Sequence, residues 1–173
     1  MDRLKGKTAM VVGAGSIGPG WGNGKATAVT FAREGAQVFC VDRNAAAAEE
    51  TAGLIKGEGG KAIAFTADVS KASEVEAMVA ACLRSFGRID VLDNNVGIGS
   101  TGGPVELGEE EWDRVLAVTL KSQFLMGKHV AQQMVAQGSG GRIVNIGSTS
   151  GFMGRSRTGV PSRSIQWLSY WLG

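Results

Sequence analysis

The sequence predicts an α/β fold in which a doubly wound parallel sheet of about five strands lies between two helical layers, giving an αβα sandwich. Strand-like and helix-like segments alternate along the 173 residues with short turns between them, which is the pattern of repeated βαβ units. An apolar run at residues 9–12 leads into residues 13–24, which include six glycines, and a helix-like stretch follows. The length suits one domain, and a hydrophobic content of 43% is enough for a core.

The predicted elements follow one another in strict βα order. The strands are apolar or rich in β-branched residues, and they cover residues 8–12, 37–41, 61–66, 89–92 and 142–146. The helices show apolar residues at helical spacing, and they cover residues 25–33, 45–56, 70–86 and 109–137. Gly35 ends the first helix, and the run from Gly138 to Gly141 ends the long one.

The glycine-rich loop after the first strand is a candidate dinucleotide site. A strand that ends in glycines and opens a helix brings backbone N–H groups and the positive helix end to one point, where a phosphate can bind. Asp42 ends the second strand at about the distance from Gly24 where nucleotide folds place the acid that binds a ribose diol. A carboxylate there repels a 2′-phosphate and favours NAD over NADP, whereas a guanidinium at Arg43 favours the opposite choice.

Composition excludes several other functions. The net charge is only +2, and the 18 basic residues are mixed with 16 acids, so nucleic acid is not an expected partner. Cys40 and Cys82 are isolated and apolar in context, which predicts buried thiols with neither a metal site nor a disulfide. The N-terminus has no apolar signal core and no run is long enough to cross a bilayer, which predicts a soluble, cytoplasmic protein with no membrane partner.

Three further motifs give the glycine loop a specific meaning. Asp68-Val69 follows the third strand, Asn94-Asn95-Val96-Gly97 follows the fourth, and Ser148 follows the fifth. In order and approximate spacing over residues 5–154, the chain resembles the short-chain dehydrogenase/reductase family. The resemblance implies a Rossmann-like fold and an NAD(P)-dependent oxidoreductase that transfers hydride between nicotinamide and a small-molecule alcohol or carbonyl substrate.

The resemblance also implies a set of cofactor-binding residues. Gly13 turns the chain, the glycines at 22 and 24 let the backbone approach the cofactor, and the serine at 16 hydrogen-bonds a phosphate. Residues 17–21 are five extra residues in this loop, here called the insert; they either cover the pyrophosphate or form a solvent loop. Adenine contacts come from 68 and 69, the ribose and nicotinamide side from 95 and 97, and Asn94 braces the sheet. The full set is Gly13, Ser16, Gly22, Gly24, Asp42, Asp68, Val69, Asn95 and Gly97.

The catalytic positions depart from the family pattern. Ser148 occupies the serine position, but Thr119 stands where the family has an asparagine, so the amide of the proton relay is lost. The Tyr-x-x-x-Lys motif, expected near residue 161, is absent; the one tyrosine is Tyr170, and no lysine follows Lys128. We therefore expect this chain to be catalytically impaired.

The C-terminal region also departs from the family. Residues 1–160 are interpreted as an incomplete dinucleotide-binding domain, and residues 161–173 as a tail unlike the family. The last helix and strands of the family are missing from this chain. Truncation and a reading-frame shift near codon 160 both explain this.

The long helix at 109–137 is a possible homo-oligomer face, and His129 is expected on a helix surface or interface. Asp93 stands where the family's fourth strand is apolar, and an unpaired carboxylate in a sheet interior is costly or protonates.

Two other functions remain open. One is a non-catalytic nucleotide-binding remnant. The other is an S-adenosylmethionine-dependent methyltransferase, which also has a glycine loop and an acid after the second strand, but which does not explain the Asn94-Asn95 turn or Ser148. Within the superfamily, ketoacyl reductases, sugar or polyol dehydrogenases and enoyl reductases are alternatives, because substrate loops lie mainly in the missing part.

Overall fold

The computed structural model describes residues 2–100 and 105–148. The helices and strands alternate in chain order: β1 (Thr8–Val12), α1 (Asn23–Arg33), β2 (Gln37–Asp42), α2 (Ala45–Gly57), β3 (Lys61–Thr66), α3 (Ala72–Phe86), β4 (Val91–Asn94), α4 (Glu109–Leu116), a π-helical segment (Ala117–Lys121), α5 (Ser122–Ala136) and β5 (Arg142–Asn145). None of the helices in these ranges is long and apolar enough to cross a membrane.

The five strands form one parallel sheet in the order β3-β2-β1-β4-β5. Val12 of β1 pairs with Val41 on one side and with Asn94 on the other. The chain therefore runs outward to β3 and then returns to the far side of β1. In such a sheet the loops after β1 and β4 part at the reversal point, which opens a crevice at the carboxyl ends of these strands.

Two apolar layers hold the sheet between its helices. Alternate residues of the inner strands, such as Met10 and Phe39, pack with α3 and α5 on one face. Their neighbours, such as Val11 and Val38, pack with α1 and α2 on the other face. The central strands are buried on both faces, as expected for a parallel sheet. The predicted αβα arrangement is confirmed.

Most elements differ from their predicted bounds by one or two residues, and the differences at β4, α3 and the long helix are described here. β4 begins at Val91 instead of residue 89, because the Asp90 carboxylate accepts the Thr8 N–H at 2.9 Å, the place a strand carbonyl would take. α3 begins at Ala72 instead of residue 70, because Ser70 forms a turn with Asp68. The predicted helix at 109–137 is present but contains the π-helical segment and ends at residue 136.

The predictions for the C-terminal tail at 161–173, including Tyr170, and for the domain boundary at residue 160 concern residues outside the described ranges. They stay predictions. Within the described ranges, no group of three or more histidine, cysteine or acidic side chains could hold a metal ion.

Candidate dinucleotide site

The turn after β1 lies against the first residues of the loop after β4, at the reversal point of the sheet. Gly13 has a φ of +80°, which suits glycine, and its N–H donates to the Val41 carbonyl at 2.8 Å. A Cβ on Gly13 would lie 2.5 Å from the carbonyl oxygen of Asn95, which is closer than real contacts allow. Asn95 in turn donates its N–H to the Val12 carbonyl at 2.9 Å. The turn after β1 therefore requires glycine because the β4 loop lies directly against it.

Close backbone contacts also explain the other loop glycines. A Cβ on Gly24 would overlap the Gly13 carbonyl, and one on Gly22 would lie 3.1 Å from the carbonyl of Gly15. Gly15 itself has no room, since its Cβ would lie 2.5 Å from the Ala47 Cβ. Gly15 is the second glycine of the loop motif but is not among the cofactor-binding residues predicted from the sequence. Its role here is to place its N–H against Asp42.

The N-terminus of α1 opens at this loop without a side-chain cap. Gly22 is the N-cap residue, and the Ala26 N–H donates to its carbonyl at 3.0 Å. Helix geometry leaves the N–H groups of Asn23, Gly24 and Lys25 without an intrahelical partner. These donors and the positive helix end fit an anion such as a phosphate.

Ser16 is held within the loop itself. Its Oγ donates to the Gly20 carbonyl at 3.1 Å and accepts the Gly22 N–H at 2.7 Å. The insert at 17–21 thereby forms a closed turn, and its apolar side chains project outward: Ile17 is fully exposed and Trp21 is 62% exposed. The hydroxyl that the resemblance assigns to a phosphate is thus hydrogen-bonded to the insert in this structure.

Asp42 is fixed at the end of β2. One carboxylate oxygen, Oδ2, accepts the Gly15 N–H at 2.9 Å, and the other, Oδ1, accepts the Asn44 N–H at 2.9 Å. Asn44 also caps α2 through its side chain, which accepts the Ala47 N–H. The carboxylate is half-buried beside the glycine loop, and its two hydrogen bonds hold its orientation.

Asp68 lies at the corresponding end of β3. Its Oδ1 accepts both the Ser70 hydroxyl at 2.6 Å and the Ser70 N–H at 3.1 Å. These hydrogen bonds, with the nearby cations of Lys71 and Arg43, lower the pKa of Asp68 despite its partial burial. Val69, the next residue, is buried in the core. A charged acceptor therefore stands at the strand end where the resemblance places an adenine contact.

Asn94 links the two strands on the other side of the crevice. It is fully buried, and its Nδ2 donates to the Asn145 Oδ1 at 2.8 Å across the β4–β5 pair. Its own Oδ1 has no hydrogen-bond partner among the described residues. Asn94 thus connects β4 to β5, in keeping with the predicted bracing role.

Thr119 anchors the loop after β4. It lies buried in the π-helical segment, and its hydroxyl accepts the Ile98 N–H at 3.3 Å while lying 3.5 Å from the Ile98 carbonyl. Gly97 is adjacent, since a Cβ there would lie 4.0 Å from the Thr119 methyl. The wider turn of the π-helical segment is marked by the Ser122 N–H, which donates to the Ala117 carbonyl five residues back.

Ser148 is exposed beyond the end of β5.

Asp93 is buried, and one of its carboxylate oxygens has no hydrogen-bond partner among the described residues. It pairs in register with Val11 and Val144, is 2% exposed, and its Oδ2 receives no hydrogen bond from the described residues. Burial raises the pKa of Asp93 to about 6. The predicted cost of a carboxylate at this strand position is therefore visible in the structure.

Comparisons with known proteins agree with this geometry. The profile of the short chain dehydrogenase family matches residues 7–162. An uncharacterised oxidoreductase of Thermotoga maritima is 41% identical over 166 residues, which are 96% of this chain and 61% of the relative. A D-threitol dehydrogenase of Mycolicibacterium smegmatis is 40% identical over 146 residues, covering 84% of this chain and 54% of the relative.

The fold has a close structural counterpart as well. A crystal structure assigned to a short-chain dehydrogenase/reductase from Burkholderia xenovorans superposes with a TM-score of 0.91 at 45% identity, covering 96% of this chain and 66% of that one. This chain thus spans about three fifths of the length of the proteins it matches.

Proposed function

The chain belongs to the short chain dehydrogenase family, and we propose that its glycine loop binds a nicotinamide dinucleotide, NAD in preference to NADP. Proteins of this family use NAD(P) cofactors. The observation that carries the proposal is the Asp42 carboxylate, which two backbone N–H groups hold beside the crowded glycines. A ribose diol can donate to such a carboxylate, whereas a 2′-phosphate would face its charge.

The full set of proposed cofactor contacts follows from the family resemblance and the loop geometry. Backbone donors at the start of α1 hold the pyrophosphate, Asp42 takes the adenine ribose, and Asp68 with Val69 takes the adenine. The β4 loop, through Asn95 and Gly97, lines the path towards the nicotinamide. The bound nicotinamide would supply or accept the hydride.

The family reaction converts an alcohol and a carbonyl into one another, and we propose it for the ancestry of this chain. By the family resemblance, Ser148 takes the position of the serine that hydrogen-bonds the substrate oxygen, and Thr119 supports the β4 loop through Ile98. A phenol with a neighbouring lysine is needed to move the proton at that oxygen, and the sequence supplies neither at the expected place. We therefore propose weak NAD binding with little or no turnover.

A non-catalytic nucleotide-binding role is the second candidate, favoured by the same missing groups. Calorimetric titration with NAD, NADP and S-adenosylmethionine separates the classes: we expect NAD to bind most tightly. Exclusive binding of S-adenosylmethionine would replace our proposal with a methyltransferase. Absorbance at 340 nm with NAD and sugar alcohols such as D-threitol tests turnover, and robust turnover would show that another group replaces the tyrosine.

Asp42→Ala tests the cofactor choice directly. We expect NAD affinity to fall by roughly tenfold and the preference over NADP to disappear, because the diol acceptor and the repulsive charge are lost together. Asp113→Ala, which removes an exposed carboxylate on α4, is the matched control and should bind NAD like the unchanged protein. An unaltered NAD to NADP ratio in Asp42→Ala would contradict the assignment.

We further propose a cytoplasmic location and self-association through the long helix. Exposed apolar side chains lie along it: Trp112 is 46% exposed, Phe124 58% and Val135 80%. Apolar side chains of this size favour burial against a second copy. Light scattering of the protein and of Val135→Glu tests this, since a dimer should dissociate in the variant.

A further inference from the structure

The insert at 17–21 is fastened to the protein at one carbonyl. The Gly20 oxygen accepts the Ser16 hydroxyl at 3.1 Å and the Lys25 ammonium at 3.2 Å. Gly20 has a φ of +105°, so the chain turns sharply at this point. These two donors therefore hold the insert at Gly20.

A lysine is unusual at the position that Lys25 occupies in α1. Its side chain is only 4% exposed, and it lies in the first turn of α1, where the helix dipole disfavours a cation. A buried ammonium requires a charged partner, and the Glu50 carboxylate of α2 supplies one at 2.8 Å. Glu50 itself is 61% exposed, so the pair lies at the boundary of the core. The Lys25–Glu50 pair thus connects α2 to the insert.

Hydrogen-bond chemistry separates the roles of the two donors. A serine hydroxyl has one O–H, and Ser16 directs it to Gly20. A phosphate oxygen is an acceptor, so Ser16 must release the Gly20 carbonyl in order to donate to a phosphate. Lys25 has three N–H donors, and its bond to Gly20 is unaffected by that exchange.

We propose that Lys25, held by Glu50, is a positioning residue that keeps the insert on α1 while the Ser16 hydroxyl turns from Gly20 to a phosphate of the cofactor. This inference rests on the proposed dinucleotide site and adds a role that acts on its phosphate side alone. Asp42 and Asp68 lie at the ends of β2 and β3, outside the insert, so contacts to the adenosine side do not depend on Lys25.

Calorimetry with NAD, ADP and adenosine on the 173-residue chain tests the inference. We expect Lys25→Met and Glu50→Gln each to weaken NAD and ADP binding by roughly five- to tenfold and to leave adenosine binding within about twofold. Glu49→Gln is the matched control, because Glu49 is the exposed neighbour of Glu50 on the same helix, and it should leave all three affinities unchanged. Circular dichroism melts of the unliganded proteins establish that each variant is folded.

The possible outcomes are distinct. If the unchanged protein binds neither NAD nor ADP, the proposed function fails, and the inference fails with it. If it binds both and the two variants bind them equally well, only the inference is overturned. An equal loss for adenosine would show a merely structural role, which also overturns it.

The Glu50→Gln variant also distinguishes a positioning role of Lys25 from direct contact with the phosphate. It frees the Lys25 ammonium without removing it, so tighter ADP binding in this variant would show that Lys25 contacts the phosphate itself. That result would overturn the positioning role. Because the Glu50 carboxylate is mostly exposed, this variant should also fold if Lys25→Met does not.

Discussion

The two halves of the sheet differ sharply in burial. β1 is buried at every residue and β2 at all but its ends, whereas three of the four β5 residues are exposed. The half proposed to bind the cofactor is made of β1, β2, β3, α1 and α2, and its edge strand β3 is more buried than β5, with two exposed residues of six. The half that carries Ser148 and Thr119 ends at β5, and no strand in the described ranges pairs with the outer edge of β5. The proposed cofactor site and the proposed substrate side therefore lie in regions that differ in burial.

The largest effect is expected from a substitution that adds a side chain to the crowded glycine loop. In Gly24→Ala the new methyl group would overlap the Gly13 carbonyl, so we expect a loss of about 3 kcal/mol in unfolding free energy and loss of NAD binding. Gly53→Ala is the control, since a Cβ there meets open space on α2, and it should stabilise by about 0.5–1 kcal/mol. Urea denaturation measures both. Equal stability of the two variants would contradict the close packing of the loop.

The junction between the halves is tested by Asp93→Asn. The folded pKa of Asp93, about 6, lies above its ordinary value of 3.8, so the folded state holds the proton more tightly than the unfolded state. The contribution of this group to stability is therefore lost as pH rises from about 4 to 6, reaching a cost on the order of 3 kcal/mol. We expect Asp93→Asn to be more stable than the unchanged protein at pH 7.5.

The same experiment has an internal control in its pH dependence. The stability difference between Asp93→Asn and the unchanged protein should shrink as pH falls below 6, because protonation removes the buried charge from the unchanged protein. Urea denaturation at pH 4.5, 6 and 7.5 measures this difference. A difference that does not vary with pH would show that Asp93 does not titrate in this range.

The smallest effects are expected from substitutions of two valines that pair with Asp93 in the neighbouring strands. Val11 and Val144 flank Asp93 on the same face, but Val11 is fully buried and Val144 is 44% exposed. We expect Val11→Ala to cost about 2 kcal/mol and Val144→Ala less than about 0.5 kcal/mol, because the exposed methyl groups bury little area. Thermal melts of both variants measure the pair. Similar costs would mean that β5 is covered in solution.

Sequence patterns predicted the strands and helices well where these depend on residues close together in the chain. β1 and β3 match their predicted bounds, and the parallel order follows from the βα alternation. The cost of Asp93 was also predictable, because a carboxylate in an apolar strand needs a partner that the neighbouring residues do not offer. These features depend on short-range pattern and on burial alone.

Features that depend on distant partners could not be read from the sequence. The later start of β4 results from the Asp90 side chain taking the N–H of Thr8, far away in the chain. The link of Lys25 to Glu50 joins two helices, and the bond of Ser16 to Gly20 depends on how the insert closes. No local pattern marks these bonds, because the partners come together only after the sheet has formed.

The π-helical segment has a consequence for the surface of the long helix. In a regular α-helix, Trp112 and Phe124 would lie about 120° apart around the axis. A π-bulge absorbs one residue, which reduces this separation to about 20°, and Phe124 and Val135 are separated by about the same small angle. One inserted residue therefore brings three bulky apolar side chains into phase along a single stripe, while the same turn holds Thr119 against the β4 loop.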